Sequence, residues 1–334
     1  MIEITKELSS FILVGIFLVS MVGLVKGSDF LLEGAERIGR YFKLPAFVIG
    51  ALIVGVGTSL PELASSFVAA MDGKTGIVAA NVVGSNVANI LLVAGFAAIL
   101  GGVIQTTKNL TNIEIPLLVI STSLFLFVAY DGTVSFAEAF IIFITFIVYI
   151  AYLLNNKKFL TEDDKIREAA DEKKQAKENK EEVVTKLEVR DFALLLGGGV
   201  LLALGANYLI DSVVAMSEKF DVAEDVISMS AVAIGTSLPE ILVSTKAVFR
   251  GKTDLAFGNV FGSNVFNILM ITGIVGLYKN IKLDEITLQI GLPFLAITTL
   301  IFYISAQTKK IYIWEGLMFL IFYTFFALKM FKLI

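Results

Sequence analysis

One segment of this chain occurs twice. Residues 47–95 and 225–273 align without a gap at an offset of 178 positions, and 24 of the 49 aligned residues are identical. Outside these two copies the same offset places Gly27 on Gly205. The chain is therefore an internal duplication, and its fold has to accommodate two copies of one unit.

Ten runs of apolar residues are each long enough to cross a bilayer as a helix, which takes roughly 17–25 residues. The chain is 56% hydrophobic and 17% charged, whereas soluble domains carry about 25% charged residues. We therefore expect an all-α polytopic membrane protein with ten transmembrane helices. The runs cover residues 10–32, 45–71, 76–101, 113–130, 134–154, 191–217, 224–249, 254–278, 285–305 and 311–331.

A charged segment separates the first five runs from the last five. We expect a first five-helix repeat over residues 1–154, a solvated linker over 155–190 and a second five-helix repeat over 191–334, because the linker has no apolar face that needs burial. Since five is an odd number, the second repeat enters the membrane inverted relative to the first. Inverted repeats place substrate sites near the membrane midplane, where broken helices from both halves meet.

The distribution of Lys and Arg predicts the orientation in the membrane, because these residues accumulate in cytoplasmic loops. If the linker is cytoplasmic, the inner face carries 18 Lys and Arg residues and the outer face carries seven. Lys26 and Lys246 fall within spans, which accounts for all 27. We therefore expect a multi-pass protein of the cell membrane with both termini outside.

The chain has no cysteine and no histidine. This excludes disulfides, thiolate metal sites, Cys nucleophiles and His proton shuttles. Oxygen ligands remain, and these suit hard cations such as Ca²⁺, Mg²⁺ and Na⁺. No nucleophile–base pair of the kind an intramembrane protease needs is visible, so we expect neither an enzyme nor a bound cofactor. Nothing in the sequence indicates nucleic-acid binding or an obligate protein partner.

The hexapeptide Gly-Thr-Ser-Leu-Pro-Glu occurs at residues 57–62 and again at 235–240. Proline lacks an N–H and its ring clashes with the carbonyl one turn earlier, so each helix is expected to kink or break. Carbonyls near Gly55 and Ala233 then lose their helical partners, which in lipid is tolerated only where they line a cavity or bind a cation. The same segments carry hydroxyl and carboxylate oxygens, on Thr58, Ser59, Glu62, Thr236, Ser237 and Glu240.

The two glutamates indicate function because a charge at the membrane centre costs about 2.5–3.5 kcal/mol on insertion scales. No buried basic partner is available for both Glu62 and Glu240. Lys246 lies near the basic end of its span and is expected to reach the interface rather than act as a counter-ion.

A second motif follows each hexapeptide, at residues 81–89 and 259–267. In it, a serine and an asparagine four residues apart share one helix face, namely Ser85 with Asn89 and Ser263 with Asn267. Together the four segments can supply the 6–8 oxygens that Ca²⁺ takes, or smaller sets around Na⁺. For any one Ser or Thr pair, hydrogen bonding within or between helices stays an alternative.

These two motifs, repeated at equivalent positions, resemble the paired α repeats of the cation/Ca²⁺ antiporter superfamily, especially its prokaryotic Na⁺/Ca²⁺ exchanger branch. The resemblance extends over nearly the whole chain outside the linker. It implies that Glu62 and Glu240 are the central ligands shared by Ca²⁺ and Na⁺. It also implies an amide ligand from Asn89 and backbone carbonyl ligands from Gly55 and Ala233. Hydroxyl or carbonyl ligands are implied on Thr58, Ser59, Ser85, Thr236, Ser237 and Ser263.

One position departs from the family pattern. Exchangers of this superfamily often carry Asp where this chain has Asn267. The candidate site then holds at most two negative charges, which match one Ca²⁺, whereas three Na⁺ would leave one excess positive charge in a medium of low dielectric constant. A protonated Asp is nearly equivalent to Asn, so Na⁺ coupling survives this change.

The sequence thus predicts a secondary-active antiporter that exchanges Ca²⁺ for Na⁺ by alternating access, with both ions competing for a two-glutamate site. In this interpretation the first and sixth spans move past a core made of the other eight. The alternatives are Ca²⁺/H⁺ exchange on the same glutamates and a passive cation channel, which the inverted repeat argues against.

Overall fold

The computed structural model describes residues 8–101, 104–105, 110–155, 186–219, 237–308, 310–330, 332 and 334. In this part of the chain ten helices follow one another. They are α1 (Ser10–Tyr41), α2 (Ala46–Met71), α3 (Thr75–Gly101), α4 (Leu110–Val128), α5 (Phe136–Asn155), α6 (Val189–Lys219), α7 (Leu238–Phe249), α8 (Thr253–Tyr278), α9 (Thr287–Gln307) and α10 (Ile313–Met330).

Eight of the described helices are long and apolar enough to cross a membrane by length and composition, and α4 contributes a shorter apolar stretch. Each of the ten predicted runs falls on one helix, which confirms an all-helical, multi-pass membrane protein. For α7 the structure describes 12 residues. Residues 224–236 of the seventh predicted run and residues 156–185 of the predicted linker lie outside the described residues.

Helix α1 is longer than its apolar run predicts, since it continues past residue 32 to Tyr41. The added turns are polar, and their charges are paired across to other helices. Arg37 Nε lies 2.5 Å from Asp191 Oδ1 of α6, and Glu36 Oε2 lies 2.5 Å from Lys252 Nζ beside α8. The apolar run predicts only the part of α1 before the charged residues. The last turns of the helix are stabilised by these ion pairs, which hydropathy does not reveal.

Four two-residue strands, which the sequence did not predict, join the two repeats. Strand β1 (Ile104–Gln105) pairs with β4 (Lys310–Ile311), and β2 (Thr133–Val134) pairs with β3 (Ile281–Lys282), both antiparallel. Each pair contains one strand from either half of the chain. Because β1 precedes α4 and β2 follows it, the two pairs lie at opposite ends of the helical bundle.

Helices α1 and α6 pack against each other along an antiparallel seam of glycines. A Cβ on Gly27 would lie 2.7 Å from the backbone nitrogen of Leu202, and a Cβ on Gly205 would lie 2.9 Å from that of Leu24. Glycine permits this close backbone approach because it has no side chain. Gly27 and Gly205 are related by the repeat offset, so the seam has the same pseudo-symmetry as the sequence.

The centre of the molecule is formed by α3 and α8. In each of these helices 83% of the residues in the most apolar 18-residue stretch are buried, compared with 22% in α1, α6 and α10. The repeats interlock around this centre, because α3 packs on α10 and α8 packs on α5. At the first of these contacts a Cβ on Gly95 would lie 3.1 Å from the carbonyl oxygen of Gly316. The most enclosed helices therefore carry the second of the two repeated motifs.

Candidate cation site

The proline of each hexapeptide lies in a different local structure. In the first repeat, α2 runs through Pro61 without a gap, and a π-helical turn at Ile49–Val54 precedes the α-helical part. The break expected at this proline is thus replaced by a wide turn within a continuous helix, a feature frequent at functional sites. In the second repeat, α7 begins at Leu238 and Pro239 lies in its first turn, where a missing N–H is tolerated.

A π-helical turn begins at the end of the second motif in both repeats. One turn covers Asn89–Val93 in α3 and the other covers Phe266–Ile271 in α8. Asn89 and Asn267, at the start of these turns, are each 1% exposed. Because a π-helical turn holds more residues than an α-helical turn, it changes the direction in which the following side chains point. The four-residue spacing alone did not predict this change.

Ten of the twelve predicted site residues lie in the described part of the chain, and all ten are buried. The exposed fraction is 3% for Glu62 and 1% for Glu240, so both carboxyl groups are enclosed by protein. The others are Gly55, Thr58, Ser59, Ser85, Asn89, Ser237, Ser263 and Asn267. Ala233 and Thr236 lie outside the described residues.

Hydrogen bonds bring predicted residues of opposite repeats together in two places. Ser59 Oγ donates to Glu240 Oε1 at 3.3 Å. Thr58 Oγ1 and Ser263 Oγ lie 3.4 Å apart, and each lies 3.3 Å from the carbonyl oxygen of Gly55. The hydroxyl and carbonyl oxygens predicted from two distant motifs are therefore neighbours in space.

This proximity depends on close packing between α2 and α8. A Cβ on Gly55 would lie 2.9 Å from the backbone nitrogen of Ser263, and a Cβ on Gly262 would overlap the backbone of Ala51. Side chains at these positions would push the two helices apart. The glycines thus explain how Thr58 and Ser263 come within 3.4 Å of each other.

Several polar atoms in this region have no hydrogen-bond partner among the described residues. A buried polar atom left unpaired costs about 1–3 kcal/mol, so a group of them calls for a ligand. The side chains of Asn89 and Asn267 have no hydrogen-bond partner among the described residues, so no hydrogen bond of these side chains joins them to the other predicted residues. Among the predicted site residues, the unpaired oxygens belong to Glu62 (Oε2), Asn89 (Oδ1), Ser237 (Oγ), Glu240 (Oε2) and Asn267 (Oδ1).

The electrostatics of this region favour a cation. Ser59, one turn before Glu62 in α2, donates to Glu240 of α7, so the two carboxylates belong to neighbouring segments of these helices. Lys246, expected at the interface, lies with Nζ 2.8 Å from Asp29 Oδ1 and also donates to the carbonyl of Val25. In the described ranges, no three acidic, His or Cys side chains are arranged so that they could hold a metal ion together. A cation here would be held by two carboxylates together with neutral oxygens.

Four residues at the edge of this region were not predicted. Asn81 donates to Ser66 Oγ at 2.9 Å, and Asn259 donates to Ser244 Oγ at 2.8 Å. Both asparagines and both serines are identical between the repeats, and this identity was the signal available in the sequence.

Comparison with known proteins identifies relatives of the whole chain. The profile of the family described as "Sodium/calcium exchanger protein" matches residues 12–155 and 191–332. The sodium/calcium exchanger MaX1 of Methanosarcina acetivorans is 31% identical over 347 aligned positions, which cover 95% of this chain and 97% of that protein. An uncharacterised membrane protein of Methanocaldococcus jannaschii is 32% identical, covering 93% of this chain and 95% of its own length.

A solved structure has the same fold. The sodium-calcium exchanger NCX_Mj, soaked with zero Na⁺ and Ca²⁺, superposes with a TM-score of 0.77 at 30% sequence identity. The superposition covers 95% of this chain and 98% of NCX_Mj. The similarity therefore includes both repeats and the packing between them.

Proposed function

Since the chain belongs to the sodium/calcium exchanger family, we propose that it exchanges Ca²⁺ for Na⁺ at one buried site for which the two ions compete. As a member of this family it is a Na⁺/Ca²⁺ exchanger-like transporter of the membrane and not an enzyme. The finer proposal concerns which residues hold the ions and how the two fluxes are coupled.

The observation that supports this site is that Glu62 and Glu240, one from each repeat, are both buried, and that Ser59, one turn before Glu62, donates to Glu240. Glu62 and Glu240 each retain an oxygen without a hydrogen-bond partner among the described residues. Two carboxylates balance the charge of one Ca²⁺, and opposite charges attract strongly where water is excluded. Hydroxyl, amide and carbonyl oxygens complete the set, on Gly55, Thr58, Ser59, Ser85, Asn89, Ala233, Thr236, Ser237, Ser263 and Asn267.

Competition is the physical basis of the exchange. Ca²⁺ and Na⁺ both need the carboxylates of Glu62 and Glu240, so binding of one ion excludes the other. Two Na⁺ also balance the two charges, whereas a third Na⁺ would be bound with one excess positive charge because residue 267 is Asn. Flux of Ca²⁺ in one direction then requires Na⁺ to return through the same site.

Access to the site is proposed to alternate by movement of α1 and α6 past the other eight helices. The described ion pairs favour one end state of this movement. Asp29 of α1 lies 2.8 Å from Lys246 and 2.6 Å from Arg250, both near the end of α7. The positions related to these by the offset are Asn207, Val68 and Asp72, which form no such pairs. Among the described residues, these ion pairs thus favour closure at the end of the bundle next to the linker, here called the linker end.

The orientation proposed for the protein places that end in the cytoplasm. The loops at this end and the linker carry most of the Lys and Arg residues, 18 compared with seven at the other end. Both termini then lie outside. In this orientation, the pairing of α1 with α7 would favour a state closed towards the cytoplasm.

The proposal is tested by uptake of radioactive Ca²⁺ into proteoliposomes loaded with Na⁺, with K⁺, or with acid. We expect uptake only with an outward Na⁺ gradient, and loss of that uptake in Glu62→Gln and Glu240→Gln variants that remain monodisperse. Uptake driven by acid loading without Na⁺ would replace the proposal with Ca²⁺/H⁺ exchange. Uptake that is indifferent to the internal ion would indicate a passive channel.

A further inference from the structure

Two asparagines outside the predicted ligand set occupy equivalent places in the two repeats. Asn81 of α3 and Asn259 of α8 are related by the offset of 178 positions. Asn81 Nδ2 donates to Ser66 Oγ at 2.9 Å, and Asn259 Nδ2 donates to Ser244 Oγ at 2.8 Å. Since the serines are also related by the offset, the same contact ties α2 to α3 and α7 to α8.

The amide oxygen of each asparagine accepts a hydrogen bond from a hydroxyl in the candidate site. Ser85 Oγ donates to Asn81 Oδ1 at 3.3 Å, and Thr58 Oγ1 donates to Asn259 Oδ1 at 3.3 Å across the repeats. A hydroxyl group has one proton and two lone pairs. Its lone pairs can face a cation only when the proton points to another acceptor, and these amide oxygens are such acceptors.

The surroundings of Thr58 show why this acceptor matters. The hydroxyl of Thr58 can also donate to the carbonyl oxygen of Gly55, at 3.3 Å, as can that of Ser263. If a cation binds the Gly55 carbonyl, that oxygen is no longer a good acceptor for either hydroxyl. Thr58 Oγ1 then donates its hydrogen bond to Asn259 Oδ1. The lone pairs of Thr58 Oγ1 are therefore free to bind the cation.

We propose that Asn81 and Asn259 are positioning residues, which orient the hydroxyl groups of Ser85 and Thr58 for cation binding. Each amide is itself held by the serine to which its nitrogen donates. The inference rests on the proposed function, because it takes the cation site as its premise. Partners that orient a ligand from outside typically change metal affinity by about 10–100-fold when they are removed.

The test compares two buried asparagines on the same helix. Asn264 lies five residues beyond Asn259, is also fully buried, and donates to the carbonyl of Val260 in its own helix at 2.6 Å. In the full-length purified chain we expect Asn259→Ala to raise the Ca²⁺ dissociation constant, measured by calorimetry, by about 10-fold. Asn264→Ala, the matched control, should stay within about 2-fold of the wild-type value.

A double-mutant cycle separates positioning from a structural role. If Asn259 acts through Thr58, then adding Asn259→Ala to Thr58→Val should change the dissociation constant by less than about 2-fold. Ser85→Ala with Asn81→Ala should behave in the same way. Full additivity of the two losses would overturn the inference, as would equal dissociation constants for Asn259→Ala and Asn264→Ala.

A conservative variant covers the case in which Asn259→Ala does not fold. Asn259→Asp keeps an oxygen that accepts from Thr58, can accept from the Ser244 hydroxyl in place of the lost N–H donation, and adds negative charge, so it should bind Ca²⁺ at least as tightly as the wild type. Weaker binding by a monodisperse Asn259→Asp protein would count against the inference. Wild-type affinity in Asn259→Ala refutes this inference alone, whereas wild-type affinity in Glu62→Gln would refute the proposed function.

Discussion

Replacement of Gly55 by alanine tests whether the candidate site depends on contact between the backbones of α2 and α8. An added Cβ would lie 2.9 Å from the backbone nitrogen of Ser263 and 3.2 Å from the carbonyl oxygen of Asn259. These are backbone atoms, so neither can move aside by a side-chain rotation. The helices would have to separate by a few tenths of an ångström, and Thr58 and Ser263 would separate with them.

The size of the effect follows from two opposing contributions. Overpacking of a close-packed interior typically costs about 1–3 kcal/mol, and two rigid backbone neighbours place this site towards the upper end. Alanine in a helix is favoured over glycine by about 1 kcal/mol. We therefore expect Gly55→Ala to destabilise the protein by about 1–2 kcal/mol, and to weaken Ca²⁺ binding by about 5–30-fold if a similar strain opposes the bound geometry.

The matched control is Gly57→Ala, two residues further along the same helix. There an added Cβ would lie 3.5 Å from Leu31 Cδ1, an ordinary van der Waals contact with a flexible side chain. The melting temperature in detergent and the calorimetric Ca²⁺ dissociation constant should change for Gly55→Ala, while the melting temperature of Gly57→Ala should equal or exceed that of the wild type. Equal melting temperatures and equal affinities for the two variants would refute the packing argument.

Three further predictions concern the moving helices and the charge of the site. Asp29→Asn removes the ion pairs with Lys246 and Arg250, so α1 should move away from α7 more often. A single cysteine introduced at the linker end of α1 should then react faster with a water-soluble maleimide, and unchanged rates would contradict the ion-pair argument. Gly198→Ala should lower the melting temperature, because its Cβ would meet backbone atoms of α1, whereas Gly197→Ala meets nothing within 4 Å and serves as control. Asn267→Asp should bind Na⁺ as tightly as the wild type at low pH, where the added carboxyl is protonated, and more tightly than the wild type at high pH. A variant whose Na⁺ affinity equals that of the wild type at both pH values would refute a role for this position in charge balance.

The sequence predicted the helical architecture well because both of its signals are strong. Apolar runs long enough to span a bilayer identify helices directly, and the duplication at a fixed offset predicts the inverted arrangement. The end of α1 could not be predicted in this way, since ion pairs such as Arg37–Asp191 link residues 154 positions apart. The strand pairs that join the repeats are two residues long and leave no periodic pattern.

The chemistry of the candidate site was predictable in kind but not in arrangement. Proline and glutamate in a repeated motif indicated where the carboxylates occur, but not that Ser59 contacts Glu240 of the other repeat. The roles of Asn81 and Asn259 depend on which hydroxyl each amide accepts from. That choice is set by packing between helices, partly across the repeats, and identity between the repeats shows only that both residues are constrained.

Competition between the two ions is tested most directly by equilibrium binding of radioactive Ca²⁺ to the purified protein at increasing Na⁺ concentration. We expect one Ca²⁺ per chain, complete displacement by Na⁺, and an apparent Ca²⁺ dissociation constant that rises with Na⁺ without a change in the number of sites. Glu62→Gln and Glu240→Gln should each abolish this binding. Ca²⁺ that remains bound at saturating Na⁺, or that binds normally to either variant, would contradict a single shared site at the two glutamates.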